Sequence, residues 1–362
     1  MTINEFIVYL MVVFMALGAL DRIFGGKLGL GAEFENGIMA LGSLALAMLG
    51  IISLAPVLAQ VLRPVLVPVY RALGADPAMF AGSILANDMG GAPLAYELAG
   101  SEDAAKLGGL IVGSMLGATI VFTIPVALGI LSPDDRPYLA RGVLCGIIAI
   151  PLGALAGGLT AGFSLVMVAR NLVPIVLFAL LLALGLWRAQ RAMIRAFTVF
   201  GRIIIAIITF GLACAIIERL TGFAVIPGMA PLSDGLEIVG DIAIVLAGAF
   251  PLVFALTKLL KKPLMKLGGL LGMNDTAAAG LVASLANSIP MFGMMKDMDA
   301  RGKVINVAFA VPAAFVFGDH LGFTAGFAPD MIAPMIVGKL TGGVAAAALA
   351  LWMTKGEANA EK

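Results

Sequence analysis

The chain has 362 residues, of which 61% are hydrophobic and only 12% are charged, and its formal net charge at pH 7 is +1. A mean hydropathy of +1.07 excludes a soluble globular domain and predicts an all-α, polytopic membrane protein, because apolar runs of about 20 residues can cross a bilayer as helices. The near-zero net charge gives no indication of a nucleic-acid partner.

About eleven membrane helices are predicted from the apolar runs along the chain. In order they cover residues 5–24, 36–62, 78–99, 107–131, 138–163, 166–187, 200–220, 236–258, 276–298, 302–326 and 329–353. The stretch after the second helix, 63–76, contains two prolines and two arginines, so we expect it to lie at the membrane interface. The amino-terminal segment lacks the basic region and cleavage site of a signal peptide, and we expect its helix to stay in the protein.

Two of these helices are predicted to be broken. The third reads AGSILANDMGGAPLAYE over 81–97, and the ninth reads GLVASLANSIPMFGMMKD over 280–297. Each combines an asparagine, Asn87 or Asn287, with a proline that suits the first turn of a new helix, and paired glycines free the backbone of the third helix. Broken helices at corresponding positions of two halves are typical of the substrate site of a membrane transporter.

The chain also repeats itself. Gly50 corresponds to Gly248, and the GxxxG pattern that begins at Gly153 recurs at Gly338, where small residues let membrane helices pack closely. We therefore predict three parts: a first five-helix repeat over 1–163, a connector helix and basic loop over 164–199, and a second five-helix repeat with a short charged tail over 200–362. The sequence leaves open whether the two repeats are parallel or inverted, because the repeats become inverted if a broken segment is re-entrant and does not cross the membrane.

The break in the third helix predicts a site for a small cation. The carboxyl end of a half-helix carries partial negative charge and Asp88 adds a full charge, while Asn287 and Ser288 offer neutral hydrogen-bonding groups. A small cation with a hydroxyl group fits both breaks at once. The predicted binding residues are Asn87, Asp88, Gly90, Gly91, Asn287 and Ser288. A carboxylate within the membrane is costly, so a buried structural ion pair of Asp88 is the alternative interpretation.

Three further polar residues lie in predicted membrane helices: Asp319, His320 and Lys339. The adjacent Asp319 and His320 are compatible with a proton relay that couples transport, but we favour a hydrogen-bonded core histidine. Lys339 is expected to pair with a carboxylate, and Asp319 is the candidate partner. For this lysine a structural pair and a role in transport are equal alternatives.

No enzyme signature occurs in the sequence, and we predict neither catalysis nor a cofactor. Cys145 and Cys214 lie within apolar runs and indicate packing, not a disulfide or a metal site. The basic residues between the sixth and seventh helices and the lysines after the eighth fall on one face if every helix crosses the membrane. The positive-inside rule places that face, and the amino terminus with it, in the cytoplasm.

Three long strings of the sequence resemble one known family: NDMGGAPLAYELAG at 87–100, LANSIPMFGMMKDMDARGKVINVAFA at 285–310 and GDHLGFTAG at 318–326. They are similar to the ethanolamine permeases of bacterial ethanolamine utilisation operons (EutH), and the similarity covers nearly the whole chain. The resemblance implies a multi-pass carrier of ethanolamine in the lipid bilayer of the bacterial cytoplasmic (inner) membrane. It brings no established binding residues.

Our interpretation is therefore a carrier that works by alternating access, with Asp88 binding the ammonium group of ethanolamine and Asn287 and Ser288 placing its hydroxyl. The first alternative is an ion-translocating membrane subunit of a decarboxylase-type complex, which also uses broken helices and an intramembrane aspartate. The second is a carrier of another small amine. A carrier works alone, whereas such a subunit requires soluble partners, and the sequence is also compatible with a homo-oligomer.

Overall fold

A computed structural model describes residues 2–355, except for the side chains of Ile194, Leu264 and Leu267. Within this range the protein is all-helical and contains no β-strand. Most of the charged tail predicted at the carboxyl end, from residue 356 onward, lies outside the described residues. Eight helices of the described part are long and apolar enough to cross a membrane.

The helices in the first half are α1 (Ile3–Ile23), α2 (Leu30–Ala72), α3 (Ala78–Ile84), α4 (Gly91–Leu98), α5 (Glu102–Lys106), α6 (Ile124–Ile130) and α7 (Arg136–Thr160). Two π-helical stretches, Leu107–Gly117 and Thr119–Thr123, join α5 to α6 in one long helix. The remaining helices are α8 (Leu165–Arg188), α9 (Gln190–Thr221), α10 (Leu232–Leu270), α11 (Asp275–Ala286), α12 (Ser288–Met294), α13 (Ala300–Ala313), α14 (Asp319–Phe327) and α15 (Ile332–Met353).

Helix α2 is longer than the sequence predicts. It continues without interruption through Pro56, Pro64 and Pro68, so the stretch expected to follow the second membrane helix is its last part. Each proline removes a single backbone hydrogen bond from the helix. A membrane helix tolerates that loss because neighbouring helices can satisfy the freed backbone group.

The two predicted breaks are hairpins. Gly100 N, just after α4, donates a hydrogen bond of 2.9 Å to Oδ2 of Asp76, just before α3. Likewise Asn274 N, just before α11, donates a bond of 2.8 Å to Oδ1 of Asp299, beyond α12. The first hairpin (α3–α4) and the second hairpin (α11–α12) thus each begin and end at one face. The expectation that they cross the membrane as broken helices is wrong, because these hydrogen bonds bring their outer ends together.

A third break interrupts the helix predicted over 302–326. Helix α13 ends at Ala313 and α14 begins at Asp319. Between them Phe315 has a φ of 64°, a conformation that no other non-glycine residue of the described chain adopts. Phe315 N and Phe317 N donate hydrogen bonds of 3.1 and 2.9 Å to the carbonyls of Ser284 and Leu285 at the end of α11. The break is therefore held by the second hairpin.

Close glycine contacts show how the long helices cross. In α7, a Cβ atom on Gly153 would lie 2.6 Å from the carbonyl oxygen of Gly338 in α15, and one on Gly157 would lie 2.9 Å from that of Pro334. As the residue number rises along α7 it falls along α15, so the two helices are antiparallel. Helices α2 and α10 are also antiparallel, because Gly37 abuts Leu246 while Gly235 abuts Leu49.

Candidate functional site

The tip of the first hairpin is a sharp turn built on two glycines. Asn87–Met89 form one turn of 3₁₀-helix, and Gly90 follows with a φ of 91°. A Cβ atom on Gly90 would lie 2.3 Å from the side chain of Ile51, and one on Gly91 would lie 2.5 Å from the carbonyl oxygen of Leu85. The two predicted site glycines therefore shape the turn.

Asp88 projects from this turn into a cavity of about 220 Å³, here called the first cavity. Its wall includes Asp319 and His320, the first two residues of α14. Asp88 Oδ1 lies 3.8 Å from His320 Nε2, a contact that is an ion pair only when the histidine is protonated, and no other side chain of the described chain lies at ion-pair distance from Asp88. A carboxylate at the first position of a helix is favoured by the helix dipole, so α14 holds Asp319 in place beside Asp88. Among residues 2–355 no lysine or arginine lies at ion-pair distance from Asp88, and the charge of the buried Lys339 acts on this carboxylate from further away.

Aromatic rings form another wall of the first cavity. The ring of Phe315 lies 5.5 Å from that of Phe122, edge to face, and 5.2 Å from the imidazole of His320. Aromatic faces attract cations, and desolvation strengthens that attraction. Carboxylates and aromatic rings around one small cavity are therefore complementary to an ammonium group. Sequence reasoning missed Phe122 and Phe315, since a phenylalanine in an apolar helix carries no distinguishing signal.

Several predicted polar residues are buried with unused hydrogen-bonding capacity. Both side-chain amide atoms of Asn87, the hydroxyl of Ser288 and Nδ1 of His320 have no hydrogen-bond partner within the described part of the chain. A buried polar group without a partner is costly, so these atoms are suited to a polar ligand or to water. His320 is a buried residue, as the favoured interpretation expects, but the described residues supply no hydrogen-bond partner for its Nδ1, so its assignment as a hydrogen-bonded core histidine stays a prediction.

Asn287 lies in a separate space, here called the second cavity, of about 290 Å³. Its side-chain oxygen accepts a hydrogen bond of 2.8 Å from Ile289 N and so caps α12. Asp319 lines this cavity as well as the first. Among the predicted site residues, Asp88, Asp319 and His320 thus line the first cavity, Asn287 and Asp319 line the second, and Asn87, Gly90, Gly91, Ser288 and Lys339 line neither.

Lys339 has a different partner from the one predicted. Its side chain is 1% exposed, and its Nζ donates a hydrogen bond to the backbone carbonyl of Ser114 in the π-helical stretch. Within residues 2–355 no carboxylate lies at ion-pair distance from Lys339, so the predicted pair with Asp319 is wrong; the carboxylate whose charge acts on Lys339 from further away is Asp88. The neighbouring Gly113 packs against the backbone of Asn87, where its Cβ atom would lie 3.3 Å from Asn87 N. Lys339 therefore fixes the helix against which the tip of the first hairpin rests.

Comparison with known proteins gives full-length matches. The family described as "Ethanolamine utilisation protein, EutH" matches residues 3–353. The "Probable ethanolamine permease EutH" of Listeria monocytogenes serotype 1/2a (strain 10403S) is 65% identical over 353 residues, covering 98% of this chain and 95% of that relative. The protein of the same name from Escherichia coli (strain K12) is 51% identical over 401 residues, covering 100% and 98%. "Uncharacterized protein YxeR" of Bacillus subtilis (strain 168) is 50% identical over 354 residues, covering 98% and 96%. No solved structure matches the chain.

The family match includes both hairpins, both cavities and Lys339. Relatives named permeases, together with eight candidate spans among residues 2–355, show a multi-pass bacterial membrane protein. The resemblance drawn from the sequence is thereby confirmed, and the chain belongs to the EutH family of ethanolamine utilisation proteins.

Proposed function

We propose that this protein carries ethanolamine, in its ammonium form, across the bacterial cytoplasmic membrane by alternating access. The observation that carries the proposal is the first cavity, in which Asp88 and Asp319 face the rings of Phe122 and Phe315. An alkylamine resembles the lysine side chain and is mostly protonated at neutral pH. Close relatives are named probable ethanolamine permeases, which supports this substrate over other small amines.

The chemistry of binding follows from the charges. A carboxylate inside a membrane protein is stabilised when a cation desolvates together with it and forms a hydrogen-bonded pair. The ammonium of ethanolamine supplies that cation at Asp88, and the ring of Phe315 contacts its methylene groups.

The architecture we propose is a pair of inverted five-element repeats, 1–163 and 200–362, joined by α8 within 164–199. The antiparallel pairs α2 with α10 and α7 with α15 support it. So do two ion pairs at corresponding positions, Lys106 with Asp330 at 2.7 Å and Lys303 with Asp135 at 2.6 Å. Inverted repeats that exchange conformations open a central site to each face of the membrane in turn.

The orientation we propose depends on the hairpins. Because both hairpins return to the face they start from, the basic residues at the start of α9, at the end of α10 and around Lys296 and Arg301 share one face. The basic residues of the opposite face are Arg63, Arg71, Lys106, Arg170 and Arg219. The positive-inside rule makes the richer face cytoplasmic. The amino terminus then lies on the outer face, which reverses the orientation expected for eleven crossings.

The test is uptake of labelled ethanolamine by the purified protein in liposomes. We expect uptake that saturates, exceeds the leak into protein-free liposomes and is inhibited by unlabelled ethanolamine. A membrane subunit of a decarboxylase-type complex would give no uptake without its soluble partners. Failure of uptake in liposomes that contain correctly folded protein would contradict the proposed function.

A further inference from the structure

The second cavity borders the same carboxylate as the first but opens toward a different part of the protein. It lies between α10, the tip of the second hairpin and the break before α14. Glu33, in the first turn of α2, and Thr257, beside the basic end of α10, place it near the face that carries most of the basic residues. Asp319 is the residue that the two cavities share.

The walls of the second cavity have the chemistry of an ammonium site. Two carboxylates, Glu33 and Asp319, line it together with the phenylalanines Phe250, Phe254 and Phe317. The ring of Phe254 already contacts an alkylammonium, because Lys258 Nζ lies 4.0 Å from its centroid. Cation–π contacts of this kind attract an ammonium group, and more strongly in a desolvated site.

The break between α13 and α14 separates the two cavities. Phe315 lines the first cavity, while Phe317 and Gly318 line the second. Gly318 packs tightly here, since a Cβ atom on it would lie 2.0 Å from the carbonyl oxygen of Ala286. Asp319, at the start of α14, therefore borders the cavities on both sides of this break.

We propose that the second cavity is a release subsite for the ammonium substrate, on the cytoplasmic side of the first cavity; this rests on the proposed function. The substrate ammonium moves from Asp319 to Glu33. The hydroxyl of Thr257 then forms a hydrogen bond with the substrate hydroxyl, in place of the one it loses on leaving the first cavity. The subsite takes small primary ammonium alcohols, and it determines the rate of release, not the affinity of the first cavity.

Transport by matched variants tests the subsite. Glu33→Gln removes one carboxylate from the second cavity, while Glu35→Gln removes one two residues away that pairs with Arg22 at the surface, at 3.3 Å. We expect Glu33→Gln to slow uptake into right-side-out liposomes by about fivefold, while its equilibrium dissociation constant for ethanolamine changes less than about twofold. Glu35→Gln should match the unmodified protein in both measurements. Equal uptake by the two variants would overturn the subsite and leave the proposed function intact, whereas no uptake by the unmodified protein would overturn the function itself.

Thiol labelling gives a second readout that does not depend on turnover. Cys145 and Cys214 are buried, so a cysteine introduced as Thr257→Cys supplies the accessible thiol. We expect a membrane-impermeant maleimide to label it from the cytoplasmic face only, and ethanolamine to slow that labelling. Glu35→Cys, outside the cavity, should be labelled at the same rate with and without ethanolamine. Labelling of the Thr257→Cys variant from the outer face, or without any protection by ethanolamine, contradicts the proposal.

Discussion

The two hairpins share a layout but differ at their tips and in the helix against which each packs. At the first tip stands Asp88, and the adjoining helix is continuous, with π-helical turns that bring Gly117 against the carbonyl of Leu85. At the second tip Ser288 takes the place of the aspartate, and the adjoining helix breaks around Phe315. The common layout creates a cleft beside each tip. Only the first tip contributes a carboxylate, because the second has Ser288 at the corresponding position.

This difference explains why the charged site is not duplicated. The break around Phe315 places the start of α14, with Asp319 and His320, opposite Asp88. In the first half no comparable break occurs, because the helix from Glu102 to Ile130 is uninterrupted. One half therefore contributes the carboxylate at a hairpin tip, and the other contributes a helix start that faces it.

The strongest test of the comparison is at the two tips. We expect Asp88→Asn to reduce ethanolamine uptake about 100-fold or more, because an amide cannot compensate a buried ammonium and loss of one partner of a buried ion pair costs about 3–5 kcal/mol. Ser288→Ala, at the corresponding position, should reduce uptake by less than about tenfold. Initial rates at low substrate, normalised to folded protein, measure both.

A control for this pair is Asp103→Asn, which changes an exposed carboxylate in the first turn of α5. It should leave uptake unchanged. Near-normal uptake by Asp88→Asn, or equal reductions of uptake in Asp88→Asn and Ser288→Ala, would contradict the claim that the first tip contributes more to substrate binding than the second.

The second test concerns the continuous helix. A Cβ atom on Gly117 would lie 1.9 Å from the carbonyl oxygen of Leu85, so Gly117→Ala should push the first hairpin away and cost about 1–3 kcal/mol of stability. Gly129→Ala, in the last part of the same helix, meets no atom within 4 Å and should be neutral or slightly stabilising. The thermal midpoint of the detergent-solubilised protein measures both. Similar midpoints for the two variants would mean that the close approach is not required.

The broken helix gives the third test, because Phe315 combines strain with a role in the cavity wall. A left-handed backbone costs a non-glycine residue roughly 1 kcal/mol, so we expect Phe315→Gly to be more stable than Phe315→Ala. Both variants lose the ring and should bind ethanolamine several-fold more weakly. Thermal midpoints and binding by isothermal titration check the two parts separately. A more stable alanine variant would show that the left-handed conformation does not persist.

The sequence indicates where the two hairpin tips lie, but it does not indicate that the chain folds back at them to the face from which it started. Gly90 and Gly91 disrupt a helix wherever they occur together, so the break could be located from local chemistry. The hairpin itself depends on the bond between Asp76 and Gly100, which neither residue type indicates. The break around Phe315 occurs in an apolar stretch and is fixed by backbone carbonyls of α11, and Lys339 also binds a backbone carbonyl. Backbone acceptors have no signature in a sequence, which is why both were missed.

The smallest expected effect concerns the carboxylates that close the two hairpins, since they lie at opposite ends of the equivalent segments. Asp76, before the first hairpin, accepts bonds of 2.9 Å from Ala78 N and Gly100 N, and Asp299, after the second, accepts bonds of 2.8 and 2.9 Å from Asn274 N and Gly302 N. An asparagine has one acceptor oxygen instead of two, so Asp76→Asn and Asp299→Asn should each lose one bond and about 1 kcal/mol of stability.

If the hydrogen bonds that join the ends of the two hairpins are equivalent, Asp76→Asn and Asp299→Asn should lower the stability by similar amounts. The two reductions should add in the double variant, because distant sites rarely couple. Asp297→Asn is the matched control, since only the backbone carbonyl of that residue bonds to Asn274, at 2.9 Å, and its midpoint should not change. A loss confined to one hairpin would show that the other is held by its tip and not by its ends. The two hairpins would then differ in stability as well as in the chemistry of their tips. The hairpin whose ends are held less strongly would be the candidate for movement during transport.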